Sequence, residues 1–187
     1  MVLSLVFTAV SGTAVAKSGS AKPASREDRV YEVDYEANFA PERGVVHMKV
    51  NVRQAGGLVR RLRVSFDPLR YSDFEAEGEV EVDLEEGELT WRPPAEGGAL
   101  TFDVVLNHAR KSGSFDSLMT EDWAVFRGDD LFPPAAVSAL KGAKARARLR
   151  MTGPDGWSFI SAYPRDEEDA EWFRVEWPER RFDRPVG

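Results

Sequence analysis

From Tyr31 onward the chain alternates. Tyr31, Val33, Tyr35, Ala37 and Phe39 are separated one by one by Glu32, Asp34, Glu36 and Asn38. Side chains at that spacing share a face only on an extended backbone, where successive Cβ atoms point to opposite sides. The pattern predicts a half-buried strand. After the turn signal Ala40-Pro41-Glu42-Arg43-Gly44 it repeats, with Val46, Met48, Val50 and Val52 facing in and His47, Lys49 and Asn51 facing out. A third strand follows Ala55-Gly56-Gly57 and places Leu58, Leu62, Val64 and Phe66 against Val59, Arg61, Arg63 and Ser65, before Asp67-Pro68 closes it.

Next comes a hairpin in which Val80, Val82 and Leu84 alternate with Glu79, Glu81 and Asp83, turn at Glu85-Glu86-Gly87 and return through Leu89 and Trp91. Its acidic face suits either cross-strand pairing with Arg60–Arg63 or a solvated edge guarded against aggregation, and the solvated edge is the expectation. Leu100, Phe102, Val104 and Leu106 form a further strand, and Val105 adds an apolar residue on the second face, as in a central strand. Ala143, Ala145, Ala147, Leu149 and Met151 alternate with Lys144, Arg146, Arg148 and Arg150, again a strand. Gly153-Pro154-Asp155-Gly156 is a turn, Trp157, Phe159 and Ser161 open another strand, and Trp172–Trp177 is apolar on both faces. Short strands between turn signals, without a sustained amphipathic helix, predict a mainly all-β fold, an antiparallel β-sandwich.

One stretch breaks the rule. Phe115–Pro134 carries Phe115, Leu118, Met119, Trp123, Val125, Phe126, Leu131 and Phe132 among acids and one arginine, without sustained period two. Gly128-Asp129-Asp130 is turn chemistry, and Pro133-Pro134 excludes a helix interior or a central strand. The expectation is a long aromatic-rich connection crossing between two strand-rich halves. One or two helical turns are expected over Ala135–Leu140 after the prolines.

Ahead of the alternating region, residues 1–16 read as a signal-peptide-like segment: an apolar run too short to span a bilayer, ending in the small residues Ala14-Val15-Ala16. Residues 17–27 read as a flexible linker, small and polar. A single β-sandwich domain over 28–187 completes the chain, which is expected to be periplasmic or otherwise exported, with no transmembrane span. The net charge of −7 argues against a nucleic-acid partner, which would need a basic footprint. With no cysteine there is no disulfide and no thiolate chemistry.

Few residues carry catalytic chemistry. Of the two histidines, His47 lies on an outward strand face and His108 at a strand end, and neither is followed by glutamate, so no His-Glu-x-x-His zinc helix is present. Asp116 with Glu121-Asp122, and Asp129-Asp130, are carboxylate groups able to meet a cation or an amine, but the calcium-loop pattern is missing. Arg127 suits a bidentate clamp on a carboxylate, or internal pairing with Asp129 or Asp130. Trp91, Trp123, Trp157, Trp172 and Trp177 are many for one small core, and tryptophan is enriched where a partner or ligand buries a surface. The candidate binding residues are therefore Trp123, Arg127, Asp129 and Asp130, with no catalytic residue, no metal ligand and no cofactor expected.

The order of features resembles the N-terminal β-domain of glycyl-aminopeptidase-like proteins of peptidase family M61. The pieces that carry the resemblance are Tyr31-Glu-Val-Asp-Tyr35, Leu100-Thr-Phe-Asp-Val104, Trp123-Ala-Val-Phe-Arg-Gly-Asp-Asp-Leu-Phe-Pro-Pro134, Gly153-Pro-Asp-Gly-Trp157 and Phe182-Asp-Arg-Pro-Val-Gly187. In such proteins the β-domain precedes a thermolysin-like zinc domain, whose metal-binding helix lies outside these residues. The resemblance implies a non-catalytic domain that docks on a downstream catalytic-like domain of the same parent protein and helps shape its substrate cleft. Two alternatives remain: a free-standing periplasmic binding module for a peptide or glycan, and a small hydrolase using Asp116, Asp129 or His108.

Overall fold

The computed structural model describes residues 29–109, 113 and 115–175. The signal-peptide-like segment, the linker, Trp177 and Phe182–Gly187 lie outside the described residues. In chain order the elements are β1 (Val30–Ala40), β2 (Val45–Arg53), β3 (Val59–Ser65), β4 (Tyr71–Ala76), β5 (Glu79–Asp83), β6 (Glu88–Arg92), β7 (Gly97–Val105), β8 (His108–Ala109), β9 (Phe115–Met119), β10 (Ala124–Val125), α1 (Gly128–Leu131), β11 (Ala135–Ala139), β12 (Lys144–Thr152) and β13 (Trp172–Val175).

Two large sheets share one core. The first has six strands in the order β13-β12-β1-β2-β7-β4 and the second has four in the order β11-β3-β6-β5, with a small β10-β9-β8 sheet beside them. The inward faces expected from the alternation meet here: Val46, Met48, Val52, Leu100 and Val104 of the six-stranded sheet pack in one cluster with Leu89 and Trp91 of the four-stranded one. Val59, expected on the face of Arg61 and Arg63, is buried in the same cluster, beside the register shift where β3 steps from Arg61 to Val59 along β11. The fold is a mostly antiparallel β-sandwich. β1 and β12 are parallel neighbours, Val30 opposite Lys144 through Asn38 opposite Thr152. β7 lies between β2 and β4, the interior place that Val105 suggested.

The polar half of the alternation is equally ordered. On the outer face of the six-stranded sheet, the acids of β1 lie between the arginines of β12 and the basic residues of β2. Arg53 pairs with Glu32 and Asp34, Arg148 with Asp34, and Arg150 with Glu36. Arg148 and Arg150 also lie over the Trp172 ring, at 4.6 Å and 4.9 Å from its centroid. The acidic hairpin is an edge: β5 is the outermost strand, β6 separates it from β3, and Glu79 and Glu81 pair with Arg92 of β6.

Three expectations are corrected. Phe115–Pro134 is not irregular throughout, because Phe115–Met119 and Ala124–Val125 form a hairpin and Gly128–Leu131 is the short helix. Ala135–Leu140 is not helical. Its first five residues pair antiparallel with β3, and the ladder overrides alanine's helical preference. Trp157–Ser161 is not a strand. Trp157 and Phe159 alternate because both rings lean on Phe39, at centroid distances of 6.0 Å and 5.4 Å. One strand, β4, escaped the periodic reading because a bulge lies between Ser72 and Glu75 and Asp73 takes φ 55°.

Candidate functional site

The β9–β10 hairpin presents Trp123. Thr120 closes its tip: the Thr120 N–H donates to the Trp123 carbonyl at 2.8 Å, and the Thr120 hydroxyl oxygen accepts from the Asp122 and Trp123 N–H groups at 3.3 Å and 3.2 Å. That turn holds the indole at the surface, 49% exposed. Behind it the aromatic side chains converge. Phe126 packs on Phe39 at 5.2 Å, and Trp157 meets Phe159 at 6.1 Å. Gly153 gives this ring pair room, since a Cβ there would come within 3.2 Å of both.

These side chains bound a recess of about 350 Å³, lined by Trp123, Ala124, Phe126, Met151, Trp157, Phe159 and Ile160 with Asp122 and Ser158. Ile160 is 94% exposed. Aromatic floor and exposed aliphatic rim suit the burial of an apolar side chain from elsewhere.

Arg127, Asp129 and Asp130 form a separate cluster that does not line this recess. Arg127 and Asp129 pair at the surface. Asp130 turns inward, 8% exposed, where its carboxylate accepts the Arg127 N–H at 2.8 Å and Arg70 NH1 at 3.4 Å. Its backbone carbonyl accepts the Tyr71 hydroxyl at 2.9 Å. Burial pushes the Tyr71 phenol up to about 12, so it remains a donor at neutral pH. The structure therefore brings three of the four candidate residues together by internal contacts and puts only Trp123 on a recess.

A second recess, about 500 Å³, lies on the outer face of the six-stranded sheet among Glu36, Asn38, His47, Lys49, Asp73, Glu75, Asp103 and Arg150. His47 Nδ1 lies 2.6 Å from Asp103 Oδ1 and its Nε2 lies 3.1 Å from Arg43 NH1. Arginine can only donate, so Nε2 accepts and Nδ1 carries the proton shared with Asp103. His108 Nδ1 lies 3.5 Å from Asp116 Oδ2. Among the described residues no cluster of three or more His, Cys, Asp or Glu side chains is arranged to hold a metal ion, and no helix is long and apolar enough to cross a membrane.

Neither a protein-family model nor a curated protein matches the chain. Solved structures similar to it in part include two cohesins. One is the third cohesin ScaC of Acetivibrio cellulolyticus, solved in complex with the ScaB dockerin, at 14% identity and a TM-score of 0.30 over 65% of this chain and 99% of that one. The other is the seventh ScaB type I cohesin of Pseudobacteroides cellulosolvens, at 13% identity and a TM-score of 0.27 over 71% of this chain and 97% of that one. Likeness at this level carries no statement about function.

Proposed function

We propose that this chain is a non-catalytic docking domain, of the kind found ahead of the zinc domain in peptidase family M61, and that its aromatic recess packs against a downstream domain of the same exported parent protein. The observation that supports this reading is the recess itself. Rings anchored on the core residue Phe39 form its floor, while Trp123 and Ile160 are left open to solvent. Interface hot spots favour such rigid aromatic anchors, because two χ angles cost little entropy for a large buried area. Docking there would place the polar outer sheet toward solvent and the β9–β10 hairpin against the partner, where it would help shape a substrate cleft.

Amide exchange tests the proposal. Exchange is compared in this chain alone and in the parent protein with its downstream domain attached. Slowed exchange at Trp123–Phe126 and Trp157–Ile160 in the longer protein is expected; equal rates there would overturn docking at this recess. The second reading, a free-standing module that binds a peptide, draws on the half-exposed indole as a stacking platform. It predicts a saturable change in tryptophan fluorescence on titration with a hydrophobic peptide, lost in Trp123→Ala.

A further inference from the structure

β11 is the outermost strand of the four-stranded sheet, and its ladder partner is β3. Ser65 N–H donates to the Pro134 carbonyl, and Leu140 N–H donates to the Leu58 carbonyl. Antiparallel backbone groups alternate in direction, so residues 134, 136, 138 and 140 turn theirs to β3. Ala135, Val137 and Ala139 turn theirs outward. Ala135–Ser138 are exposed, and Val137 is 47% exposed. The strand, Ala-Ala-Val-Ser-Ala, carries no charge and no proline.

The other outer strands of the two large sheets are guarded. β5 carries Glu79, Glu81 and Asp83. β4 is bulged, with Asp73 in the left-handed region. β13 is covered by the chain at 164–166: Asp166 N–H donates to the Trp172 carbonyl at 2.8 Å and Arg174 N–H to the Pro164 carbonyl at 2.9 Å. Natural proteins manage exposed edges with such devices; the pairing of β11 with β3 shifts register only at its end, between Ser138 and Ala139, and the regular, neutral Ala135–Ser138 part of the edge is a template for another strand.

The neighbouring residues say what kind of strand. Arg61 lies opposite Ser138 and Arg63 opposite Ala136 on the outer face. Both arginines are exposed, and among the described residues neither has a carboxylate partner. On the other face Val137 lies opposite the partly buried Leu62. We propose that the free edge of β11 accepts an extended segment of a partner protein in which acidic residues alternate with aliphatic ones. Its backbone pairs with Ala135, Val137 and Ala139. Its carboxylates cross the small Ala136 and Ser138 side chains to reach Arg61 and Arg63, and its aliphatic side chains extend the apolar face beyond Val137.

The test titrates the full chain with a labelled hexapeptide that alternates valine and glutamate, blocked at both ends, and with a control of the same composition in which the three valines and three glutamates are grouped. Saturable binding of the alternating peptide is expected, weakening with added salt, together with slowed amide exchange at Ala135, Val137 and Ala139. Val137→Pro removes an outward N–H that the β3 ladder does not use and is expected to weaken binding at least tenfold. Arg61→Glu combined with Arg63→Glu, both on the solvated face, is expected to do the same with an unchanged melting temperature, and it decides the matter should the proline variant fold poorly. No saturation at millimolar peptide, equal binding of the grouped control, or full affinity in the arginine variant would overturn the proposal. Amides at 135, 137 and 139 already protected without peptide would overturn it too, since the edge would then be occupied by this chain itself.

Discussion

Arg148 places Nε and one terminal nitrogen each 3.2 Å from an oxygen of Asp34, across the parallel pairing of β1 with β12. Arg53 reaches the same carboxylate from β2 on the other side. Asp34 is buried, and burial alone would raise its pKa. The hydrogen bonds and charges of Arg53 and Arg148 outweigh that effect and hold it below the usual carboxylate value. A depressed folded pKa stabilises the fold above the unfolded value of about 3.9 and loses that contribution as pH falls through the folded value. Asp34→Asn should therefore cost about 1–3 kcal/mol at pH 7, with the arginines' partial exposure keeping the figure low. Urea titrations of the two proteins should converge as the pH falls through the depressed folded-state value of Asp34, where the carboxyl becomes protonated in both states. A gap that persisted unchanged into acid would assign the loss to packing instead of charge.

Neighbouring aspartates in α1 should behave unlike each other. Asp130 caps the Arg127 N–H and meets Arg70 from a buried position, whereas Asp129 pairs with Arg127 in the open, with side chains 53% and 64% exposed. Asp130→Ala is expected to destabilise by about 1–2 kcal/mol, the range for a lost helix cap. Asp129→Ala should fall within about 0.5 kcal/mol, as exposed ion pairs do. Chemical denaturation of both variants checks the contrast.

What could be read from the sequence was what is local. Period two is a property of adjacent residues, so β1, β2, β7 and β12 and their inward side chains Val33, Val50, Phe102 and Leu149 were visible in the bare chain. Which strand lies beside which is not local: nothing near Asp34 announces Arg148, 114 residues away. Interruptions of the period hid structure as well. The bulge at Asp73 broke β4 into fragments too short to register. At Ala135–Ala139, alanine's helical preference concealed a strand that exists because β3 offers it a ladder. Trp123 stood out because five tryptophans are many for one small core, and it lies in the stretch without sustained period two. Asp130 was legible only as one of two adjacent carboxylates, since its inward turn depends on Arg70 and Tyr71, about sixty residues earlier.

Gly97 and Gly56 separate two costs of a left-handed backbone. Gly56 has φ 69° with nothing within 4 Å of a built Cβ, so Gly56→Ala should lose about 1–2 kcal/mol from conformation alone. Gly97 has φ 108° at the start of β7, and a Cβ there would collide with the Val52 carbonyl of β2. Gly97→Ala must add a displaced strand to the backbone strain, and its loss should exceed that of Gly56→Ala by more than 1 kcal/mol, about a fivefold change in the folding equilibrium. Equal melting temperatures for the two variants would mean the β2–β7 register yields without cost.

The sharpest contrast lies between two tryptophans. Trp91 is fully buried between the sheets, and its indole N–H donates to the Glu77 carbonyl at 2.7 Å. Trp91→Ala removes both the packing and the donor, and should cost about 3–5 kcal/mol. Trp123 has half its surface in water, so Trp123→Ala should cost less than about 1 kcal/mol, on the scale of surface changes. Acrylamide should quench Trp123 readily and Trp91 hardly at all, so Trp123→Phe should reduce the quenchable fraction of the emission. If the aromatic recess is a docking face, that quenchable fraction should shrink by the same amount in the intact parent protein without any substitution. A Trp123 that stayed fully quenchable in a longer protein carrying the proposed downstream domain would leave the recess without the role proposed for it.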